Sequence, residues 1–202
     1  WDYKGHELTG RTVGIVGLGN VGRRVAELSK AFNMQAIAYD PYITDEDFRE
    51  RGADKVNSLD ELFQSADIIS VNCPLTDETR GMIGAEQYAL MKSSGIFITT
   101  ARGFIHDETA LTAAIADGRI AAAGCDVFGE EPPAHDHPLL AFDNVIVSPH
   151  NAGVTSDCNL NMAVYAVEQW GEIFAGRYPS RLQNPDAWDR YKVRFAEMFG
   201  VE

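Results

Sequence analysis

Over the first 150 residues, short apolar runs alternate with segments whose apolar positions recur every three or four residues. Thr12–Val16 reads as a strand. The segment after it carries Val21, Val25, Leu28 and Phe32 at i, i+4, i+7 and i+11, a predicted helix face. Gln35–Asp40 is a second predicted strand. Ser58-x-x-Glu61, with Leu59, Leu62 and Phe63 behind it, has the pattern of a capping box and predicts a helix start. Asp67–Val71 follows as a strand, Ala85–Met91 as a short helix and Gly95–Thr100 as a strand. Asp107 is a candidate N-cap for a helix carrying Ala110, Leu111, Ala114 and Ile115, which Gly118 ends. Ile120–Val127 and Asn144–Ser148 are the last predicted strands. Most strand runs are continuously apolar, as expected where helices cover both sheet faces. The alternation predicts an α/β fold with a doubly wound parallel sheet.

The pattern then changes. A long helix is predicted from about Thr155 to Ala175, with Leu160, Val164, Val167, Trp170 and Phe174 as its stripe. Beyond Pro179 comes a short amphipathic tail, with Trp188, Tyr191, Phe195 and Phe199 at roughly helical spacing. The expected division is therefore a sheet domain over 1–178 and a helical tail over 179–202. The tail's apolar face needs a partner: this domain, an absent one or a second subunit. The chain starts at Trp1 rather than Met, a short lead-in before the first strand, as expected of a piece of a longer polypeptide. There are no repeats.

The first strand runs into Gly17-x-Gly19-x-x-Gly22, and Asp40 ends the second. Gly17 permits a tight turn, Gly19 lets backbone approach a pyrophosphate, and Gly22 lets the helix pack on the strand. The helix N-terminus, with Asn20 and Val21, presents free N–H groups to phosphate. Asp40 stands near the spacing of an acid that accepts from ribose hydroxyls. This is the Rossmann pattern. Asp40 repels a 2′-phosphate, and Pro41 and Tyr42 bring no Arg to welcome one, so NAD is expected over NADP.

Net charge is −13, which argues against nucleic acid or an anionic membrane as partner. No apolar run reaches the roughly 20 residues of a bilayer span, and no signal-peptide pattern is seen. The cysteines, Cys73, Cys125 and Cys158, are odd in number and lack CxxC spacing, so they read as reduced packing residues of a cytoplasmic protein.

Three further sites follow strands at the edge where the glycine loop lies, and ligands bind at that edge in open α/β sheets. Thr100-Ala101-Arg102-Gly103 offers the planar Arg102 fork to a carboxylate. Taken alone, Arg102 reads better as a surface Arg paired with a nearby acid. Asp126-Val-Phe-Gly-Glu-Glu131-Pro132-Pro133 places Glu131 before a rigid Pro-Pro. Ser148-Pro149-His150 ends the last strand with a histidine. A lone acid or histidine is more often solvated or structural; the common edge lifts these three. His135-Asp136-His137 lacks a third ligand and reads as a solvated loop, as does His6 on the lead-in, so no metal is expected.

The chain resembles the nucleotide-binding domain of the D-isomer-specific 2-hydroxyacid dehydrogenases. The resemblance rests on Gly14–Gly22, Cys73-Pro-Leu-Thr-Asp-Glu-Thr-Arg-Gly-Met-Ile83, Thr100-Ala-Arg-Gly103, Gly118-Arg-Ile120, Asp126-Val-Phe128 with Glu131-Pro132, and Ser148-Pro-His150, in order over about residues 7–155. It implies that Arg102 binds the substrate carboxylate, that His150 is the acid/base and that Glu131 pairs with it, favouring the charged ring. It puts Asp126 near the nicotinamide and Cys73 and Pro74 on the adenosine side. The expected cofactor set adds Thr79, Thr100, Ala101 and Gly153 to the glycine loop and Asp40. It implies a substrate domain absent here, to which the tail would return, and a homodimer.

His106 stands where an aliphatic residue is usual, Gly129 where Glu is common, and Asn151 where an apolar residue is common. The expected activity is hydride transfer between NAD and a D-2-hydroxyacid or 2-oxoacid. Two rivals remain: an NAD(H)-sensing corepressor-like module, and a Rossmann methyltransferase, against which the strand pattern and the His150 motif speak.

Overall fold

A computed structural model describes residues 5–200, so Trp1 and Glu202 lie outside the described residues. The elements run β1 (Thr12–Val16), α1 (Asn20–Ala31), β2 (Gln35–Tyr39), α2 (Asp45–Arg51), β3 (Asp54–Lys55), α3 (Leu59–Ser65), β4 (Ile68–Val71), α4 (Ala85–Leu90), β5 (Ile96–Thr99), α5 (Glu108–Ala116), β6 (Ala122–Cys125), β7 (Val145–Val147), α6 (Ser156–Phe174) and α7 (Trp188–Phe199). The strands form one sheet in the order β3-β2-β1-β4-β5-β6-β7, with every pairing parallel. The chain winds outward from β1 to β3, then restarts on the other side at β4. The carboxyl ends of β1 and β4 therefore flank a crevice.

Two elements escape the apolar pattern. α2 reads Asp-Glu-Asp-Phe-Arg-Glu-Arg, with Phe48 as its one buried residue, and forms because Thr44 and Asp47 cap it reciprocally. β3 has two residues, too few for periodicity, and pairs with Ile37 and Ala38 at the sheet's edge.

Successive β2 residues point to opposite faces. Ile37 joins a core cluster with Leu62, Phe63, Tyr88, Phe97 and Leu111. Ala36 and Ala38 join a second with Ile15, Ala26 and Phe48. Core burial thus lies on both sides of the sheet, as its apolar strands require.

Two sequence expectations need correction. α1 buries Gly22, Ala26 and Ser29, whereas Val21, Leu28 and Phe32 are 59%, 51% and 57% exposed. Small residues win the inward face because a Cβ at Gly22 would lie 2.1 Å from the Gly17 carbonyl oxygen, so the helix sits too close for a large side chain. The Ser58 cap accepts from Glu61 N–H at 3.0 Å, but Glu61 returns its bond to Asn57 N–H rather than to Ser58.

The chain divides into two compact units, through Ala152 and from Gly153. Packing therefore groups α6 with the tail, where the apolar pattern drew the boundary at 178/179. In the second unit, Trp188 stacks on Tyr191 and meets Tyr178 edge-on, and Phe195 lies against Gly176. The predicted stripe Leu160, Val164, Val167, Trp170 and Phe174 is exposed.

Candidate active site

The site is built where strands of the first unit end. β1 runs into Gly17, whose φ of +86° lies in the left-handed region glycine favours. A Cβ there would meet the Cys73 backbone at 2.9 Å, so the turn closes directly on the chain leaving β4. A Cβ at Gly19 would meet nothing within 4 Å, which leaves room for a ligand to come close to backbone. Gly19 caps α1 without a side-chain bond, so the first-turn N–H groups of Asn20 and Val21 face outward unclaimed by a cap.

Asp40 closes this half. Its Oδ2 accepts from Leu18 N–H at 2.9 Å and its Oδ1 from Tyr42 N–H at 3.0 Å. The Tyr42 hydroxyl donates to Glu78, which brings a second carboxylate to the mouth. Gly17, Gly19, Asp40, Cys73, Pro74 and Thr79 together line a cavity of about 330 Å³. The Thr79 hydroxyl donates to the Pro74 carbonyl at 2.7 Å and ties down its own loop. Burial pushes the Cys73 thiol up to about 11, consistent with an inert packing thiol. Cradle, free N–H groups and ribose-distance acid fit a dinucleotide.

The second half follows β5, β6 and β7. Thr100 and Ala101 leave β5, and Arg102 caps the short 3-10 turn Gly103–Ile105, its guanidinium exposed and donating to the Ala101 carbonyl. A Cβ at Gly103 would lie 2.0 Å from the Phe128 carbonyl carbon, so this turn rests directly on the loop after β6.

Asp126 in that loop is 5% exposed and acts as a staple. Its carboxylate accepts from the Ser148 hydroxyl at 2.6 Å, Asn151 N–H at 2.9 Å and Ala152 N–H at 3.1 Å. Burial opposes its ionisation, but the bonds from Ser148, Ala152 and Asn151, with His150 nearby, outweigh that and hold the carboxyl below its ordinary value. Glu131 accepts from Phe128 N–H at 3.0 Å through Oε1 and meets His150 Nδ1 at 2.7 Å through Oε2. The His150 bond, then the Phe128 bond, with Arg102 nearby, hold Glu131 below the usual carboxylate range. Glu131 is thus an acceptor, so Nδ1–H donates, and a neutral His150 ring keeps Nε2 as a free acceptor. His150 adopts φ +52°, a left-handed conformation costly for a residue with a Cβ. His150 N–H donates to the Asp126 carbonyl at 2.8 Å, so the staple that fixes the loop also supports the strain.

The Glu131–His150 pair can move a proton, and Arg102, close enough to help hold Glu131 ionised, offers a free guanidinium fork. The model of the D-isomer-specific 2-hydroxyacid dehydrogenase NAD-binding domain matches residues 1–152. The chain belongs to this family. It is 43% identical over 187 residues to D-3-phosphoglycerate dehydrogenase of Methanocaldococcus jannaschii, a match covering 91% of this chain and 36% of that protein. It is 45% identical over 180 residues to glyoxylate reductase of Aeropyrum pernix, covering 89% and 53%. The structure of D-lactate dehydrogenase with NAD+ from Lactobacillus jensenii superposes with a TM-score of 0.79 at 33% identity, covering 87% of this chain and 56% of that one. The chain spans about half the length, or less, of the curated relatives it matches.

The structure gives three further positions a setting, and for His137 it differs from the sequence reading. Gly153 belongs to the C-terminal unit. His137, expected in a solvated loop, is half-buried and pairs with Glu108. His106 fills the aliphatic position: it is buried, lies 5.4 Å from the Phe97 ring, and neither ring nitrogen has a partner. Burial pushes its pKa down, against the pull of Glu108 and Asp107. Sequence reasoning missed Glu108 and Glu78, whose partners lie 21 and 36 residues away. Among the described residues no helix is long and apolar enough to cross a membrane.

Proposed function

We propose that this chain is the cofactor-binding and proton-transferring part of a dehydrogenase acting on D-2-hydroxyacids or their 2-oxoacids. The observation that carries the reading is the 2.7 Å pair of Glu131 with His150, held at the sheet edge that also carries the glycine cradle. NAD, when bound, takes up or supplies the hydride. In oxidation, neutral His150 takes the substrate hydroxyl proton at Nε2; in reduction the imidazolium returns it. Glu131 stays ionised and stabilises the charged ring. Arg102 grips the substrate carboxylate through its fork and orients the carbon to be oxidised. Gly17, Gly19, Asn20, Val21 and Gly22 receive the pyrophosphate and Asp40 the ribose, while Cys73, Pro74, Thr79, Thr100 and Ala101 complete the cofactor's surroundings. Asp126 acts as the staple of the nicotinamide end. Asp40 and Glu78, two carboxylates at one mouth, favour NAD over NADP.

The names of the relatives favour turnover over a sensing module. The residues of this chain match only 36% and 53% of the length of two of them, so by themselves they are expected to bind NADH yet turn over poorly. A two-fold homodimer is the commonest assembly for such a domain, and free Cys73, Cys125 and Cys158 support the cytoplasm. The test is NADH oxidation by the full-length protein over glyoxylate, hydroxypyruvate and pyruvate. Turnover of at least one is expected, with the D-product wherever the product is chiral, as it is from hydroxypyruvate and pyruvate. No turnover, or an L-product, would overturn the reading.

A further inference from the structure

Glu108 lies in the first turn of α5, outside the Glu131–His150 pair, yet it touches the loop that carries Glu131. Its Oε1 accepts from Gly129 N–H at 2.5 Å. The preceding N–H, of Phe128, is held by Glu131 itself at 3.0 Å. Two carboxylates, Glu108 from α5 and Glu131 from the loop itself, thus grip two successive amides of that loop. Glu108 Oε2 meets His137 Nε2 at 3.2 Å, while His137 Nδ1 accepts from Leu139 N–H at 3.3 Å. With Nδ1 accepting, Nε2–H donates to Glu108, and both nitrogens are satisfied in the neutral ring. The His137 ring also stands edge-on to Phe128, with centroids 5.2 Å apart.

Glu108 is itself well placed. Asp107 caps α5 by accepting from Thr109 and Ala110 N–H at 2.8 and 3.0 Å, and a carboxylate in the first turn suits the helix dipole. The same stretch of chain contains Arg102 and Gly103, and Gly103 abuts the Phe128–Gly129 peptide with no room for a Cβ.

We propose that Glu108, braced by His137, is a positioning residue that locks the loop after β6 and so aims the Glu131 carboxylate at His150. Its value to catalysis rests on the function proposed above; the contact itself does not. Without Glu108, Gly129 N–H loses its acceptor, the loop loosens at its midpoint, and the neighbouring Phe128–Glu131 and Glu131–His150 bonds lengthen. A residue serving only overall stability would lower the melting temperature and leave Glu131 as it was.

The test is an NMR titration of the full chain without cofactor or substrate, following the Glu131 carboxyl carbon and amide exchange at Phe128 and Gly129. Glu108→Ala is expected to move the Glu131 titration upward, toward the ordinary glutamate value, and to speed exchange at both amides by about tenfold or more. Glu108→Gln keeps an oxygen for Gly129 N–H but sets its amide NH2 against the donating His137 Nε2–H, so it loses the brace alone and is expected to shift Glu131 upward by less than Glu108→Ala. Should Glu108→Ala fail to fold, His137→Phe decides: it keeps a ring on Phe128, loses the brace, and is expected to shift Glu131 the same way by less. An unchanged Glu131 titration in the deciding variant would overturn the proposal. Because no turnover is read, that failure is separate from a failure of the proposed function.

Discussion

Around β1 and β4 the loops are shaped by missing side chains: Gly17 turns, Gly19 opens space, and Gly22 lets α1 close on the strand. Around β6 and β7 the loops are tied by carboxylates, with Asp126 holding the 148–152 segment, Glu131 holding His150 and Glu108 holding Gly129. The first half is governed by sterics, with the carboxylates of Asp40 and Glu78 only at its mouth. The second is governed by ionised groups and supports a strained histidine. A dinucleotide needs room and N–H groups; a proton carrier needs a fixed tautomer and a fixed partner.

The comparison breaks first at Gly22. Gly22→Ala places a methyl 2.1 Å from the Gly17 carbonyl oxygen and is expected to cost about 3 kcal/mol by denaturant unfolding, with NADH binding lost. Gly19→Ala meets only open space, so it should leave stability unchanged while weakening NADH about tenfold or more in a fluorescence titration. Equal stability losses in the two variants would remove the steric account.

The other half should answer to pH. Asp126→Asn puts an amide where one carboxylate serves three donors and is expected to cost about 2–3 kcal/mol. In the native protein the Asp126 and Glu131 carboxyls lie below their unfolded values, 3.8 and 4.5. Their contribution is therefore complete above those values and is lost as pH falls through the lower folded ones. Urea midpoints from pH 7 to pH 3 should show this slope, flattened in Asp126→Asn.

Asp40→Ala is a smaller change, about tenfold in NADH affinity, with NADPH gaining relative to NADH. An unchanged preference would shift the discrimination to Glu78. Least of all, His106→Leu is expected to raise stability by about 1 kcal/mol, since it removes a buried ring with two unpartnered nitrogens. The folded pKa of His106 is lowered from 6.5, so the unfolded chain protonates first and stability falls as pH drops below that value. The gain from His106→Leu should grow there.

Much of this was legible in the sequence because strands of a doubly wound sheet are nearly unbroken apolar runs, and the glycine spacing is dictated by the turn itself. The strand-end loops that carry Arg102, Glu131 and His150 followed from the strand ends alone, and the structure pairs two of them, Glu131 and His150. What was hidden depended on distance or on small side chains. The inward face of α1 is Gly22, Ala26 and Ser29, which no apolar count selects, and the louder Val21, Leu28 and Phe32 lie outside. α2 is all charge but for Phe48. His137 resembled a surface histidine because Glu108, its partner, stands 29 residues earlier.

If the Glu131–His150 pair carries the proton, removing the imidazole must slow the chemistry and spare cofactor binding. His150→Ala in the full-length protein, assayed on its best 2-oxoacid with NADH, tests it directly. The expected result is a kcat lowered by about 10²–10⁴ with the NADH dissociation constant little changed. Wild-type kcat in His150→Ala would contradict it.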